Sequence, residues 1–100
     1  MNEYMTLDSE HNVVPTTLQE WARMFDGRDR VVGRTEVGKA RVSTVFLGID
    51  HSFGMGPPLW FETMVFGGEH DEATFRYTTW AEAEAGHARV VAALESGTEP

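Results

Sequence analysis

Residues 41–68, RVSTVFLGIDHSFGMGPPLWFETMVFGG, contain two strand-forming runs separated by a loop rich in glycine and proline. The first run, 41–49, is rich in β-branched residues, and the second, 59–66, is rich in aromatic ones. This pattern predicts two strands of one antiparallel sheet. The glycines of the loop permit unusual backbone conformations, and Pro57 and Pro58 prevent pairing before the second strand begins. We therefore interpret 50–58 as a stiffened hairpin connection, with Phe53 and Met55 as surface apolar groups at its tip.

The strand predicted over 59–66 is apolar on both faces. Its large side chains alternate, with Leu59, Phe61 and Val65 on one face and Trp60, Met64 and Phe66 on the other. Such a segment aggregates when it is exposed, so we expect it to lie centrally in the sheet with both faces covered. Two helices normally cover one face of a sheet. An isologous homodimer is the simplest cover for the other face.

Residues 30–37 form a further β-branched run, which Gly38, Lys39 and Ala40 separate from the run at 41–49. The spacing predicts a hairpin. Arginines at positions 28, 30 and 34 share one parity, so they should line one face of the first arm. Protection of an edge strand from unwanted pairing explains these charges without any function, and we prefer that interpretation to a binding role.

Two capping boxes predict two helices. TLQE at 17–20 opens a short helix with an apolar stripe, and TWAE at 79–82 opens a longer one that ends before Gly97. The stripe of the first comprises Leu18, Trp21, Ala22 and Phe25, and we expect it to be core. The stripe of the second comprises Trp80, Ala83, His87, Val90, Val91 and Leu94. Gly86 lies beside that stripe and indicates a close approach to the sheet.

These elements, with a first strand at 3–7 and a short strand at 75–77, predict one α+β domain over residues 1–100. The expected order is β-α-β-β-β-β-α. The sheet is an antiparallel meander of four to five strands, and both helices pack on one of its faces.

Composition limits the function. The chain has 100 residues, no cysteine and a net charge of −8, so thiolate metal sites and disulfides are excluded. The acidic balance opposes direct nucleic-acid binding, which requires neutralisation of phosphates. No signal-like or membrane-spanning segment stands out, and we expect a cytoplasmic protein with no membrane association.

One set of polar residues could bind a metal ion or act in catalysis. Asp50, His51, Glu62 and His87 would suit a divalent cation or acid–base catalysis if the fold brought them together. A single histidine on an apolar helical stripe is more often a partly buried residue bonded to a carboxylate or a backbone carbonyl, so we predict no metal and no cofactor. The segment 54–58 lacks the lysine and the helix N-terminus of a phosphate-binding loop. The residues assigned to binding, with no catalytic residue among them, are Asp50, His51, Phe53, Met55, Trp60, Glu62 and His87.

The pieces STVFLG, DH, GPP, FETMVFGG, RYTTW and the GH pair at 86–87 occur together in this chain. In this combination the chain resembles a family of small uncharacterised proteins encoded by bacteriophages, prophages and bacteria. The resemblance implies a phage-type accessory protein that binds a host or viral macromolecule, with inhibition of a host defence as one form of that role. Two alternatives stay open. The chain is a metal- or nucleotide-binding protein or small enzyme that uses the polar set, or it is a structural or assembly protein of the virion.

Overall fold

The computed structural model describes residues 4–24, 27 and 29–100. The elements are β1 (Met5–Leu7), β2 (Val13–Pro15), α1 (Leu18–Met24), β3 (Val31–Val37), β4 (Ala40–Phe46), β5 (Phe61–Phe66), β6 (Thr74–Tyr77) and α2 (Trp80–Ser96). The predicted α+β class and the antiparallel meander are confirmed. Phe25 and Arg28, which were assigned to the first stripe and to the arginine face, lie outside the described residues. No helix among the described residues is long and apolar enough to cross a membrane.

Strands β3 to β6 form one antiparallel sheet in chain order, so β5 lies between β4 and β6 as its composition predicted. The alternation of β4 and β5 directs six side chains to one side, where all are inaccessible to solvent: Val42, Thr44, Phe46, Phe61, Thr63 and Val65. We call this side the inner face. The opposite side, the outer face, presents Ser43, Val45, Glu62 and Met64 from the same two strands.

Helix α2 lies across the inner face and contacts all four strands. Thr79 and Glu82 form the complete capping box, and Gly97 ends the helix in the left-handed conformation, as predicted. Val90 packs against Val42 and Val65 in one core cluster. Full burial of an aliphatic side chain of this size stabilises a fold by about 1.5–3 kcal/mol, so α2 and the inner face hold the sheet together.

The predicted close approach at Gly86 is confirmed. A β-carbon at this position would overlap the ring of Tyr77, and Gly86 is buried. The glycine weakens the helix by about 1 kcal/mol relative to alanine. In return, the tyrosine ring from β6 lies directly against the helix backbone.

A small sheet of β1 and β2 stands apart from the main sheet. Strand β2 was not predicted, because Val13–Pro15 is only three residues long and ends in proline. Helix α1 contacts β1, and its Met24 reaches the core cluster of Phe46 and Phe61 from the side on which α2 lies. Both helices therefore lie on the same side of the main sheet.

The predicted burial of the α1 stripe is wrong. Helix α1 contains no buried residue, Leu18 is 54% exposed and Ala22 is exposed. Trp21 is half-buried against Tyr4, with ring centroids 5.1 Å apart. Trp21 also lies against the backbone of Gly48, just after β4, so it is the described residue of the stripe that reaches the main sheet, whereas Leu18 and Ala22 stay exposed.

Candidate functional site

Asp50 closes the loop between β4 and β5. Its carboxylate accepts hydrogen bonds from the Ser52 backbone N–H at 2.8 Å, the Ser52 hydroxyl at 2.9 Å and the Leu59 backbone N–H at 2.9 Å. The bonds from Leu59 and Ser52 stabilise the charged form and lower the pKa of Asp50 below its usual value. Asp50, which the sequence placed in the binding set, thus has a clear role in holding both ends of the loop together.

The loop tip presents two large apolar side chains to solvent. Phe53 is 81% exposed and Met55 is 82% exposed, which confirms the predicted surface position of both. The backbone N–H of Met55 donates to the Ser52 carbonyl at 3.0 Å, and Phe53 and Gly54 both have positive φ, 54° and 78°. Two central residues with positive φ are typical of a type I′ turn, for which Asn-Gly is the favoured pair. Phenylalanine in the first of these positions is therefore an unfavourable choice for the turn itself.

His51 and Trp60 flank this tip in different ways. The His51 ring meets the Phe53 ring edge-on, with centroids 6.2 Å apart, and its backbone N–H donates to the Leu59 carbonyl at 3.0 Å. Trp60 is half-buried and packs against the core cluster of Phe46, Phe61 and Ala83. His51 therefore belongs to the tip, whereas Trp60 anchors the end of the loop in the core.

His87 lies on α2 and faces the sheet. Its Nδ1 lies 2.7 Å from the Thr44 hydroxyl, and its Nε2 lies 2.9 Å from the Thr35 hydroxyl. The Thr44 hydroxyl is also 2.5 Å from the Thr63 hydroxyl, to which Tyr77 donates at 3.0 Å. A chain of hydrogen bonds thus crosses the buried inner face from β6 to β3 and passes through the imidazole of the helix.

Each hydrogen-bond donor in this chain has an acceptor when His87 is neutral. Tyr77 donates to Thr63, Thr63 to Thr44, Thr44 to Nδ1 of His87, and the Nε2–H donates to Thr35. A proton added at Nδ1 would reverse part of this order and leave the Thr63 hydroxyl hydrogen without an acceptor in the chain. Burial of the ring also lowers the pKa of His87. The expected partly buried, hydrogen-bonded histidine is confirmed. Its expected partner, a carboxylate or a backbone carbonyl, is wrong, because threonine hydroxyls of β3 and β4 lie opposite both ring nitrogens.

Glu62 lies on the outer face, where its carboxylate accepts from Arg76 Nε at 3.0 Å. Its neighbour Thr63 points to the inner face toward the His87 chain, so the sheet separates Glu62 from His87. Within the described part of the chain, no group of three histidine or acidic side chains is placed to hold a metal ion. The structure therefore does not bring Asp50, His51, Glu62 and His87 together.

The outer face carries residues that the sequence did not connect with one another. A recess of about 410 Å³ is lined by Arg30, Arg34, Arg41, Ser43, Val45, Leu47, Glu62, Met64 and Phe66. Arg34 pairs with Ser43 across β3 and β4, and Ser43 pairs with Met64 across β4 and β5. Strand parity identified the arginine face of one arm and the apolar face of another, but only the pairing register shows that the two are one surface.

Comparisons of the chain with family models, with curated proteins and with solved structures find no match. The site is therefore assessed from its own geometry.

Proposed function

We propose that the protein acts by binding another macromolecule, a protein partner, through the tip of the loop between β4 and β5. Phe53 carries this proposal. A bulky apolar residue with a φ of 54° and an exposure of 81% serves neither the turn nor the core. A left-handed conformation costs such a residue about 1 kcal/mol or more, and strain of this kind is found at binding sites when the surroundings enforce it.

The loop around Phe53 is rigid enough to hold it in the left-handed conformation. The Asp50 carboxylate fixes both ends of the loop, Ser52 is 6% exposed, and Pro57 and Pro58 stiffen the return to β5. A rigid loop that projects Phe53 and Met55 loses little conformational entropy when a partner covers them. Exposed aromatic and methionine side chains are enriched in protein interfaces, and this loop therefore supports binding better than catalysis.

The partner that fits Phe53 and Met55 is a protein surface with an apolar pocket. The resemblance to phage-encoded proteins favours a host protein, and interference with a host defence is one such role. A second copy of the chain is another candidate. The sequence predicts a homodimer through the sheet or its long loop, and of these two routes the loop tip is the one that this candidate uses. Light scattering of the purified protein at micromolar concentration tests whether the dimer forms.

The test of the proposal is a double substitution, Phe53→Ser with Met55→Ser, in a tagged protein used to capture partners from a host lysate. The matched control is Leu18→Ser, which removes a large exposed apolar side chain from α1 instead. We expect the double variant to lose the captured protein, the control to retain it, and the unfolding free energy of each to change by about 0.5 kcal/mol or less, as is usual at the surface. Capture of the same protein by both variants would place the binding surface elsewhere.

A further inference from the structure

The outer face of the sheet differs in charge from the rest of the molecule. Among the described residues, four basic side chains lie on it, and two acidic ones, Glu36 and Glu62. The four basic residues are Arg30, Arg34, Arg41 and Arg76. The face therefore carries a net charge of +2, whereas the other described residues, with three basic and twelve acidic side chains, carry −9.

The arginines surround apolar side chains instead of pairing fully with the two glutamates. Glu62 is bound to Arg76. The guanidinium carbon of Arg41 lies 5.1 Å from the centroid of the Phe66 ring, and Phe66 is 41% exposed. Arg30 and Arg34 line the same recess, and burial together with the charge of Arg34 lowers the pKa of Arg30. Arg30 also donates from Nη1 to the Phe46 carbonyl at 3.4 Å. A carboxylate placed beside Arg34 and Arg41 would form charge-assisted hydrogen bonds with their guanidiniums.

No described element packs on this face. Helix α2 contacts the strands from the inner side, and α1 contacts β1 and, through Met24, the inner core. Val45, Leu47 and Met64 remain partly exposed on the open side of a sheet whose other side is fully buried along β4 and β5. A helix laid across them would make the sheet the middle of three layers, an arrangement that buries both faces of a strand such as β5.

From this arrangement we infer that the outer face binds an acidic amphipathic helix of a partner protein. The apolar stripe of the helix would contact Val45, Leu47, Met64 and Phe66, and its carboxylates would pair with Arg34 and Arg41. A second copy of the chain is the poorer occupant, because two-fold pairing of outer faces brings arginines against arginines. Nucleic acid is opposed by the net negative charge of the other described residues.

The outer face is distinct from the loop tip. Binding at the outer face and binding at the loop tip can therefore be tested, and disproved, independently of each other. The probe is a synthetic helical peptide with leucines at positions i, i+3, i+4 and i+7 and glutamates elsewhere, labelled for fluorescence anisotropy. The comparison peptide has the same leucines, with lysines in place of the glutamates. We expect the acidic peptide to bind and the basic peptide to bind at least about tenfold more weakly, with the difference shrinking as salt is added.

Substitutions on the outer face and elsewhere show where the acidic peptide binds. Arg34→Glu combined with Arg41→Glu should weaken binding of the acidic peptide at least about tenfold. Lys39→Glu, in the exposed turn between β3 and β4, is the control of the same charge type and should have an effect of about twofold or less. The Phe53→Ser, Met55→Ser variant should bind the peptide as the wild type does. Amide chemical shifts of the folded protein should change on β3, β4 and β5.

Three results would overturn the inference. The first is equal binding of the acidic peptide to the wild type and to the Arg34→Glu, Arg41→Glu variant. The second is concentration-dependent self-association that the same two substitutions abolish, because the occupant would then be a second copy. The third is tighter binding of a single-stranded oligonucleotide than of the acidic peptide, with shift changes on the same strands.

Discussion

The inner and outer faces of the main sheet come from the same strands, yet they have opposite properties. On the inner face, hydrophobic side chains and a chain of hydroxyl groups are buried under α2, and every described polar group of that chain has a partner. On the outer face, arginines surround half-exposed apolar side chains, and the described elements leave them uncovered.

The difference indicates which residues stabilise the fold and which are available for binding. Inner-face residues are constrained by packing and by hydrogen bonds to specific atoms, so their replacement should destabilise the fold. The exposed side chains of the outer face and the loop tip make contacts only at the surface, such as that of Arg41 with Phe66, so their replacement should leave the fold intact and affect recognition. Matched substitutions on neighbouring residues of one strand test this division directly.

The largest expected difference is between two phenylalanines of β5. Phe61 is inaccessible on the inner face, and Phe66 is 41% exposed on the outer face. Phe61→Ala should lower the free energy of unfolding by about 3–5 kcal/mol, because it leaves a cavity in the core. Phe66→Ala should lower it by about 1 kcal/mol or less, the scale of an exposed contact with Arg41. Urea unfolding of both variants measures the difference, and equal losses would show that the outer face is covered in solution.

The next largest difference is between adjacent residues of β4. Thr44→Val keeps the shape of the side chain but removes the hydroxyl that bonds His87 and Thr63, and it should cost about 1–3 kcal/mol. Ser43→Ala, one residue away on the outer face, should change stability by about 0.5 kcal/mol or less. If Thr44→Val were as stable as the wild type, the buried hydrogen-bond chain would contribute nothing to the fold.

His87 makes the inner face sensitive to pH. Burial lowers the pKa of His87 below 6.5, so the unfolded chain takes up a proton at a higher pH than the folded chain. The contribution of His87 to stability is therefore complete above about pH 6.5 and declines as the pH falls toward the pKa of the folded state. Unfolding in urea at about pH 7.5 and about pH 5.5 measures this decline. In His87→Gln the part of the decline due to the imidazole should disappear, and an unchanged decline would contradict the assignment.

Much of the fold was predictable because its signals are local. The capping box at 79–82, Gly97 and the two opposite faces of β5 each depend on residues close in sequence, and the structure confirms them. The box at 17–20 is confirmed in part: the Glu20 backbone N–H donates to the Thr17 hydroxyl, whereas the Glu20 carboxylate accepts from Arg23. The exposure of the α1 stripe was not predictable, because an amphipathic pattern shows which side of a helix is apolar but not how large a surface it meets.

The site was less predictable than the fold. The hydrogen-bond chain joins Thr35, Thr44, Thr63, Tyr77 and His87, residues far apart in sequence that only the pairing register and the helix position bring together. The structural role of Asp50 was not predictable, because its bonds to Ser52 and Leu59 depend on the path of the loop. Without that role, the sequence assigned Asp50 to binding. The exposed tip at Phe53 and Met55 was predictable, since glycines and prolines around isolated apolar residues leave them no core to enter.

We propose that Phe53 is kept in a costly conformation because it serves binding and not folding. Phe53→Asn tests it most directly, because it converts Phe-Gly at positions 53–54 into Asn-Gly, the pair that this turn favours. Urea unfolding should show a gain in stability of about 0.5–1 kcal/mol, as expected when left-handed strain is relieved. The same variant should lose the captured partner. A loss of stability of more than about 1 kcal/mol would contradict the account, because Phe53 would then be part of what holds the loop in place.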